Sequence, residues 1–509
     1  MEFVQSLLVI LAAFCLPSSY ILGNVVSVRG EGIPRGTIPL IYPAGFKQEA
    51  PVNTSLLWSK SVHGLNPDVA NKLRPLFDYQ FVLPEQSLRA GLGYVGAARR
   101  LRKFVTDLLA GRRSLRIGVV GGSISYDMFA SRRGVTDWFS IFVNWLASVT
   151  KAEVKSLNGC RPATPSLYMV FCMEHSVDPE VDLVVIEYSL NDGFDDSIKK
   201  NRIVMDKEQL VRRLMKLQNQ PAVVFLQVPH VWPKYVHPFH HTSEDVEGAL
   251  AAYYDVQTVS LRTSMFLLNL HHPTHGFLWN ETYFNRHPID TGHKAMADLV
   301  IHLIQEVAVG LYTWPASEQE VSWLKMPLPP PMHDGNYEPM FASCLVVDAF
   351  ANLCISKEGW QWINEGTDTK PKWGFVSTTP GSELILRLGT PGVSGPATAA
   401  VVKNTTFPLL IHYLLSYAPM GQVSVDCLGG CYCQKRVNGH LSNTLMEVSV
   451  THMVLLDVTW KDHSLPCDMR VTVLNDTTSD GHKFKVSGVV FAATNSLAAF
   501  HAIDNWIEF

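Results

Sequence analysis

Between residues 325 and 332 the chain reads Lys325-Met326-Pro327-Leu328-Pro329-Pro330-Pro331-Met332. Closely spaced prolines remove backbone donors and favour an extended spacer, so neither a helix nor a central strand runs through this stretch. The hydrophobic pattern changes across it. Upstream, strand-like apolar runs (Leu115 to Val120, Glu153 to Leu157, Val181 to Tyr188, Ala222 to Val228) alternate with amphipathic helix-like stretches (Ala97 to Ala110, Asp137 to Ser148, Lys207 to Leu217, Gly292 to Gln305). Strands separated by helices imply crossover connections and a parallel sheet covered on both faces, an α/β sandwich. Downstream, β-prone segments (Glu383 to Leu388, Leu409 to Tyr417, Gln422 to Asp426, Glu447 to Val458, Arg470 to Leu474, Lys483 to Phe491) are separated by turn residues, which predicts a β-sandwich or jelly roll. The 509 residues also exceed the size at which single cores stop growing, about 250 to 300 residues. The expected organisation is a signal peptide or anchor over 1–22, an N-terminal extension over 23–84, an α/β domain over 85–322, a proline-rich linker over 323–339 and a β-rich domain over 340–509.

The apolar run Val4 to Leu16, followed by Pro17-Ser18-Ser19, reads as a signal peptide, although Glu2 is the sole charge near the start and no Lys or Arg precedes the run. The alternatives are an uncleaved anchor or a buried helix; the run is shorter than the roughly 20 apolar residues a membrane span needs. Contact with a membrane is expected only if the segment is uncleaved. Asn-x-Ser/Thr sequons at Asn53, Asn280, Asn404 and Asn475 agree with entry into the secretory pathway, and the expected location is outside the cell or at its surface. Of nine cysteines, Cys15 leaves with a signal; Cys160 and Cys172 precede the proline run and six follow it. The even count predicts disulfides. The alternative for Cys427-x3-Cys431-x-Cys433 is zinc, but paired CxxC repeats are absent. With 47% hydrophobic residues and 17% charged, the composition is that of a folded protein, and a net charge of -4 excludes a nucleic-acid footprint.

Four stretches combine chemistry with strand or helix ends. Ile117-Gly118-Val119-Val120-Gly121-Gly122-Ser123-Ile124-Ser125 puts a serine after a buried strand, at the sheet edge where ligands bind. It is not Gly-x-Ser-x-Gly, and Gly-Gly-Ser is also an ordinary loop. Ser156-Leu157-Asn158-Gly159-Cys160-Arg161-Pro162-Ala163-Thr164 is a second strand end, with Gly159 able to bring a backbone amide close to a substrate. Val181 to Asp192 ends a continuous apolar strand in Asn191-Asp192, where Asn191 can donate to an oxyanion or form a plain turn. Asn285-Arg286-His287-Pro288-Ile289-Asp290-Thr291-Gly292-His293 places a histidine in a loop before an amphipathic helix, as a general base or as ordinary loop.

In this order and spacing the four stretches resemble the blocks of the SGNH (GDSL-like) hydrolase family, over roughly residues 85 to 312. The resemblance implies a flavodoxin-like three-layer α/β/α fold and Ser123 as nucleophile. It further implies an oxyanion hole from the Ser123 amide, the Gly159 amide and the Asn191 side chain, with His287 as general base. One departure stands out: the family has Asp three residues before this histidine, and here the position is Phe284. The shifted pair Asp290 and His293 offers an alternative acid and base, though His287-Pro288 with Gly292 fits the block better. The other histidines, His237, His240, His241, His271, His272 and His275, lack a helical i, i+4 pair with paired carboxylates, so no metal or other cofactor is expected.

The C-terminal half looks like the β-rich region attached to some eukaryotic SGNH-type proteins. Its Trp360, Trp362, Trp373, Tyr413 and Tyr417 are either core residues or stacking surfaces for sugar rings. The expected function is hydrolysis or transfer of a small acyl group, such as O-acetyl on a polysaccharide, through an acyl-Ser123 intermediate. The rival is a non-catalytic glycan-binding or cell-surface protein on a degenerate hydrolase domain, which Phe284 favours and the retained Ser123, Gly159, Asn191 and His287 oppose.

Overall fold

The computed structural model describes residues 26–28, 59–193, 195, 197–229, 239, 241–270, 282–284, 287–368, 370–389, 406–441, 449–462 and 464–493. The apolar run at 4–16, the sequons at Asn53, Asn280 and Asn404, and His237, His240, His271, His272 and His275 lie outside the described residues.

The first domain is built on β1 (Val26–Val28), β2 (Leu92–Tyr94), β3 (Leu115–Gly121), β4 (Val154–Asn158), β5 (Leu183–Glu187), β6 (Ala222–Gln227) and β7 (Gln257–Ser260). They form one sheet in the order β1-β4-β3-β5-β6-β7-β2. The inner five strands are parallel, and antiparallel β1 and β2 close the two edges. Taken in chain order, the parallel strands run second, first, third, fourth, fifth, the flavodoxin-like arrangement, whose order reverses at β3. The helices of this domain are α1 (Pro67–Leu73), α2 (Glu85–Ala90), α3 (Arg99–Ala110), α4 (Trp138–Val149), α5 (Ser166–Cys172), α6 (Arg202–Met215), α7 (Glu244–Tyr254), α8 (Leu261–Leu270), α9 (Asp290–Thr313) and α10 (Glu318–Trp323).

Strand residues divide strictly between the two faces, as a pleated strand requires. Ile117, Val119, Leu183, Val185, Val224 and Leu226 pack with α3, α4 and α9, whereas Val120, Val184, Ile186, Val223 and Phe225 pack with α5, α6 and α7. That double burial is why the runs read as continuously apolar in the sequence. The described residues of 23–84 do not form a separate extension. Leu73, Leu76, Phe77, Phe81 and Leu83 belong to the first core, and β1 pairs with β4, because these apolar side chains complete the layer beside α9.

The second domain comprises β10 (Phe341–Val346), α11 (Val347–Ala351), β11 (Cys354–Glu358), β12 (Gln361–Asn364), β13 (Trp373–Ser377), β14 (Glu383–Gly389), β15 (Thr406–Ser416), β16 (Gln422–Gly429), β17 (Cys431–Tyr432), β18 (Gln434–Asn438), β19 (Ser449–Trp460), β20 (Cys467–Val473) and β21 (Phe484–Ala493). One antiparallel sheet runs β12-β13-β21-β15-β19-β17, with β10 also on β21, and the other runs β11-β14-β20-β16-β18. Their facing residues, among them Leu386, Leu409, Ile411, Val425, Val471 and Phe491, make the inner core of a β-sandwich. Trp360 and Tyr413 are core, Trp362 stacks on the partly exposed Trp373 with ring centroids 5.8 Å apart, and Tyr417 is exposed.

The two domains share a core. Leu410, Met453, Leu455, Val490 and Ala492, on the outer face of the larger sheet, pack with α5, all of whose residues are buried, and the disulfide Cys172–Cys344 joins α5 to β10. Burying a Leu or Val in full contributes about 1.5–3 kcal/mol, and a disulfide typically about 2–4 kcal/mol, so the apolar contact outweighs the covalent one. The proline run is not a free spacer either. Its carbonyls accept from Arg212 (Pro329 O, 2.7 Å) and Tyr253 (Pro330 O, 2.9 Å), and Glu208 of α6 accepts from the Met332 and His333 amides and the Asn336 side chain, so the strap is docked. Disulfides Cys427–Cys433 and Cys431–Cys467 lie within the second domain; Cys160 and Cys354 remain thiols, so the eight cysteines do not all pair as their even count suggested.

A chain ending at residue 322 would uncover the apolar face of α5. It should aggregate or bind a hydrophobic dye with loss of near-ultraviolet circular dichroism, whereas the full chain should not. A monomeric fragment with native near-ultraviolet signal would contradict the shared core.

Candidate active site

The carboxyl ends of β3, β4 and β5 meet where the strand order reverses. Gly121 and Gly122 end β3 because there is no space for a side chain: a Cβ on Gly121 would lie 2.5 Å from the Glu187 carbonyl oxygen, and one on Gly122 would lie 1.8 Å from Asn191 Oδ1. The turn that follows is closed by Tyr126 N to Gly122 O (3.1 Å) and Met128 N to Ser123 O (3.2 Å), leaving Ser123 half-buried at its start. Beneath it, Ser125 donates from its amide (3.3 Å) and hydroxyl (3.0 Å) to Glu187 Oε2 and accepts from Trp138 Nε1 (3.0 Å). Asn158 Nδ2 donates to the Ser125 carbonyl (2.7 Å).

His287 arrives from the other end of the domain on a two-residue hairpin, β8 (Tyr283–Phe284) against β9 (His287–Pro288). The Ile289 amide donates to Thr282 O (2.9 Å), and Gly292 at the start of α9 allows the hairpin to settle on the helix, since a Cβ there would lie 2.6 Å from Pro288 Cβ. The outcome is a contact of 2.6 Å between Ser123 Oγ and His287 Nε2. Phe129, held at a left-handed φ of 64°, lies 5.5 Å from the His287 ring.

The shifted pair does not share this geometry. His293 is fully buried, takes a long contact from the Trp138 amide at Nδ1 (3.4 Å) and faces Met128 O with Nε2 (3.4 Å); burial keeps its pKa low. Asp290 instead accepts from the Ser131 amide (2.7 Å) and hydroxyl, tying the segment after the serine turn to α9. Residue 284 is the cross-strand register partner of His287 in the hairpin.

Asn191 leans on Gly122, the residue before Ser123, and its buried Oδ1 has no hydrogen-bond partner among the described residues. The turn is held from below by Asp192, which accepts from the Ser166 amide (2.7 Å) and pairs with buried Lys207 (3.3 Å). Burial would depress the Lys207 ammonium, but Glu247 and Asp192 outweigh it and keep the group charged; Gln227 donates to the same Glu247 (2.6 Å).

Gly159 differs from expectation. Its amide donates to Val119 O (2.9 Å), extending the β3–β4 ladder by one residue, and therefore does not face the serine. The glycine is required for a different reason, since a Cβ would lie 1.8 Å from Ser176 O. The Cys160 amide is held by Asn158 Oδ1 (3.1 Å), the Arg161 amide by Gly121 O (2.9 Å), and Pro162 has none. Ala163, at φ 60°, and Thr164 carry the next amides, without partners among the described residues.

Glu187 was the residue missed. It is the one charged side chain inside a continuously apolar strand, which is the signal that could have found it. Burial pushes its carboxyl up to about 8, against the opposing hydrogen bonds from Ser125, and Asp127 in the following turn is pushed up to about 7 by burial and then by Asp137. Lys207 and Glu247 gave no such signal, because charged residues on a helix read as solvent-facing.

No protein-family model and no curated protein matches the chain. Among solved structures, the crystal structure of a two-domain esterase (CEX) active on acetylated mannans, co-crystallised with mannopentaose, is 17% identical over 80% of this chain and 98% of its own, with a TM-score of 0.56. Another crystal structure of a two-domain esterase (CEX) active on acetylated mannans is 18% identical, with 80% and 99% covered and the same TM-score. At these identities the likeness is one of fold, and it extends over both domains.

A carboxyl raised from 4.5 to about 8 by folding stabilises the protein in full only below its unfolded pKa and loses that contribution as pH rises through the folded one. Relative to Glu187→Gln, the parent should lose stability between pH values of about 4.5 and 8 in urea unfolding. A stability difference constant across this window would contradict a buried, proton-holding Glu187.

Proposed function

We propose that this chain is a serine esterase of SGNH type that hydrolyses or transfers a small acyl group on carbohydrate, with O-acetyl on a polysaccharide as the favoured substrate. The observation that carries the reading is the 2.6 Å contact between Ser123 Oγ and His287 Nε2 at the carboxyl edge of a parallel sheet. The order of the sequence blocks and the fold shared with a two-domain esterase active on acetylated mannans support it.

In this mechanism His287 Nε2 takes the Ser123 proton as Oγ attacks the ester carbonyl, then returns it to the departing alcohol. The acyl-Ser123 intermediate is cleaved by water or by a second hydroxyl, with His287 again as base. Negative charge developing on the carbonyl oxygen is met by the Ser123 amide and Asn191 Nδ2, and by the Ala163 or Thr164 amide in the role expected of Gly159. The buried Asp192–Lys207–Glu247 network contributes by fixing the Asn191 turn. The apolar run at 4–16, the sequons, of which Asn475 is exposed, and the disulfides support a location in the secretory pathway, outside the cell or at its surface.

Ser123→Ala should abolish turnover of short acyl esters while leaving the unfolding midpoint near the parental one, because the hydroxyl sits at a loop start outside the core. Equal turnover by mutant and parent would remove Ser123 from the chemistry and favour the non-catalytic glycan-binding reading.

Phe284→Asp places a carboxylate at the cross-strand neighbour of His287. An adjacent negative charge stabilises the imidazolium and raises its pKa. The acidic limb of kcat/KM should therefore move to higher pH and kcat should rise, measured across a pH series. An unshifted limb would show that position 284 does not act on the base.

A further inference from the structure

The loop at 159–165 follows β4 and is bonded to the end of β3, the strand that runs into Ser123, and both domains hold it. On the first-domain side, Gly159 and Arg161 are bonded to Val119 O and Gly121 O. On the other side the Ala163 carbonyl accepts from the Thr451 amide of β19 at 3.0 Å. Among the described residues Thr451 pairs with one strand: its register partner on β15 is Leu414, and β17 pairs with β19 at Thr459 and Trp460. Its N–H therefore points out of the sandwich, at the first domain. Ala163 needs such a hold, because a left-handed φ is sterically disfavoured for any residue with a Cβ. The helix that continues the loop is gripped by the same domain, through Tyr168 against His412 (5.2 Å), the Cys172–Cys344 disulfide and His175 Nε2 with Cys344 O (2.8 Å).

We propose that the β-sandwich is a positioning element of the active site, with the Thr451 amide as its contact: it fixes the Ala163 turn and so aims the free loop amide beside Ser123. This rests on the esterase reading above. It makes the second domain part of the catalytic geometry, whatever it also binds. An oxyanion donor acts as charge develops, so the effect falls on kcat more than on KM.

The test uses the full-length chain with 4-nitrophenyl acetate. Thr451→Pro deletes the amide without removing a β15–β19 ladder bond, as proline on a strand edge can. It should lower kcat about 10- to 100-fold, the range that small misplacements of catalytic groups produce, with KM changed less than twofold. Amide hydrogen exchange over residues 159–172 should become faster. Thr451→Ala, which keeps the amide, should restore parental kcat and slow exchange. If the proline variant does not fold, Cys172→Ala combined with Cys344→Ala should show the same pairing of lowered kcat and faster exchange. Parental kcat, or parental exchange across the loop, in a folded variant overturns the proposal. Turnover independent of Ser123 would defeat the esterase reading instead, and the exchange measurement would then decide by itself whether β19 holds the loop.

Discussion

Ser123 and His287 are 164 residues apart in the chain and meet at 2.6 Å, a contact only a particular arrangement of strands can close. The serine is delivered by β3, an inner strand of the parallel sheet, the histidine by a hairpin seated on the last long helix. Each delivery depends on a glycine that permits backbone approach, Gly122 against Asn191 and Gly292 against Pro288. The parallel sheet in turn requires both faces to be covered, which the α3–α4–α9 layer does on one side and α5, α6 and α7 do on the other. On the second side the cover is itself incomplete until the β-sandwich docks. The packing of the two domains is thus linked through α5.

Buried charge is concentrated under this site. Lys207, Glu247 and Asp192 form a fully buried cluster, and Glu187 lies beneath the serine turn. Taking ions out of water costs several kcal/mol each unless partners and hydrogen bonds make it good, so such groups contribute little net stability. Here they fix turns: Asp192 holds the one carrying Asn191, and Glu187 holds the one carrying Ser123. Holding its proton, Glu187 also places no full negative charge beneath the serine turn.

The fold class was readable because the signals that determine it are local. Runs such as Leu183 to Ile186 are apolar at every position, as strands buried on both faces are, and the switch to short β-prone segments after the proline run marks the sandwich. Ser123, Asn191 and His287 stand out in the sequence because they lie at strand and helix ends, where sites are commonly built. Nonlocal partners were not readable. That the Gly159 amide goes to Val119, that Glu208 and Arg212 dock the proline strap, and that Leu410 and Val490 face outward onto α5 all depend on contacts between segments far apart in sequence. Residues 73–83 looked like an extension because their apolar spacing does not reveal which layer they complete.

The central claim is that Ser123 is an activated nucleophile, and the most direct measurement is covalent labelling of the purified full-length protein with a fluorophosphonate, followed by peptide mass spectrometry. A single phosphonylated serine, Ser123, is expected, with labelling lost in His287→Ala. No adduct on the folded protein, or equal labelling with and without His287, would contradict it.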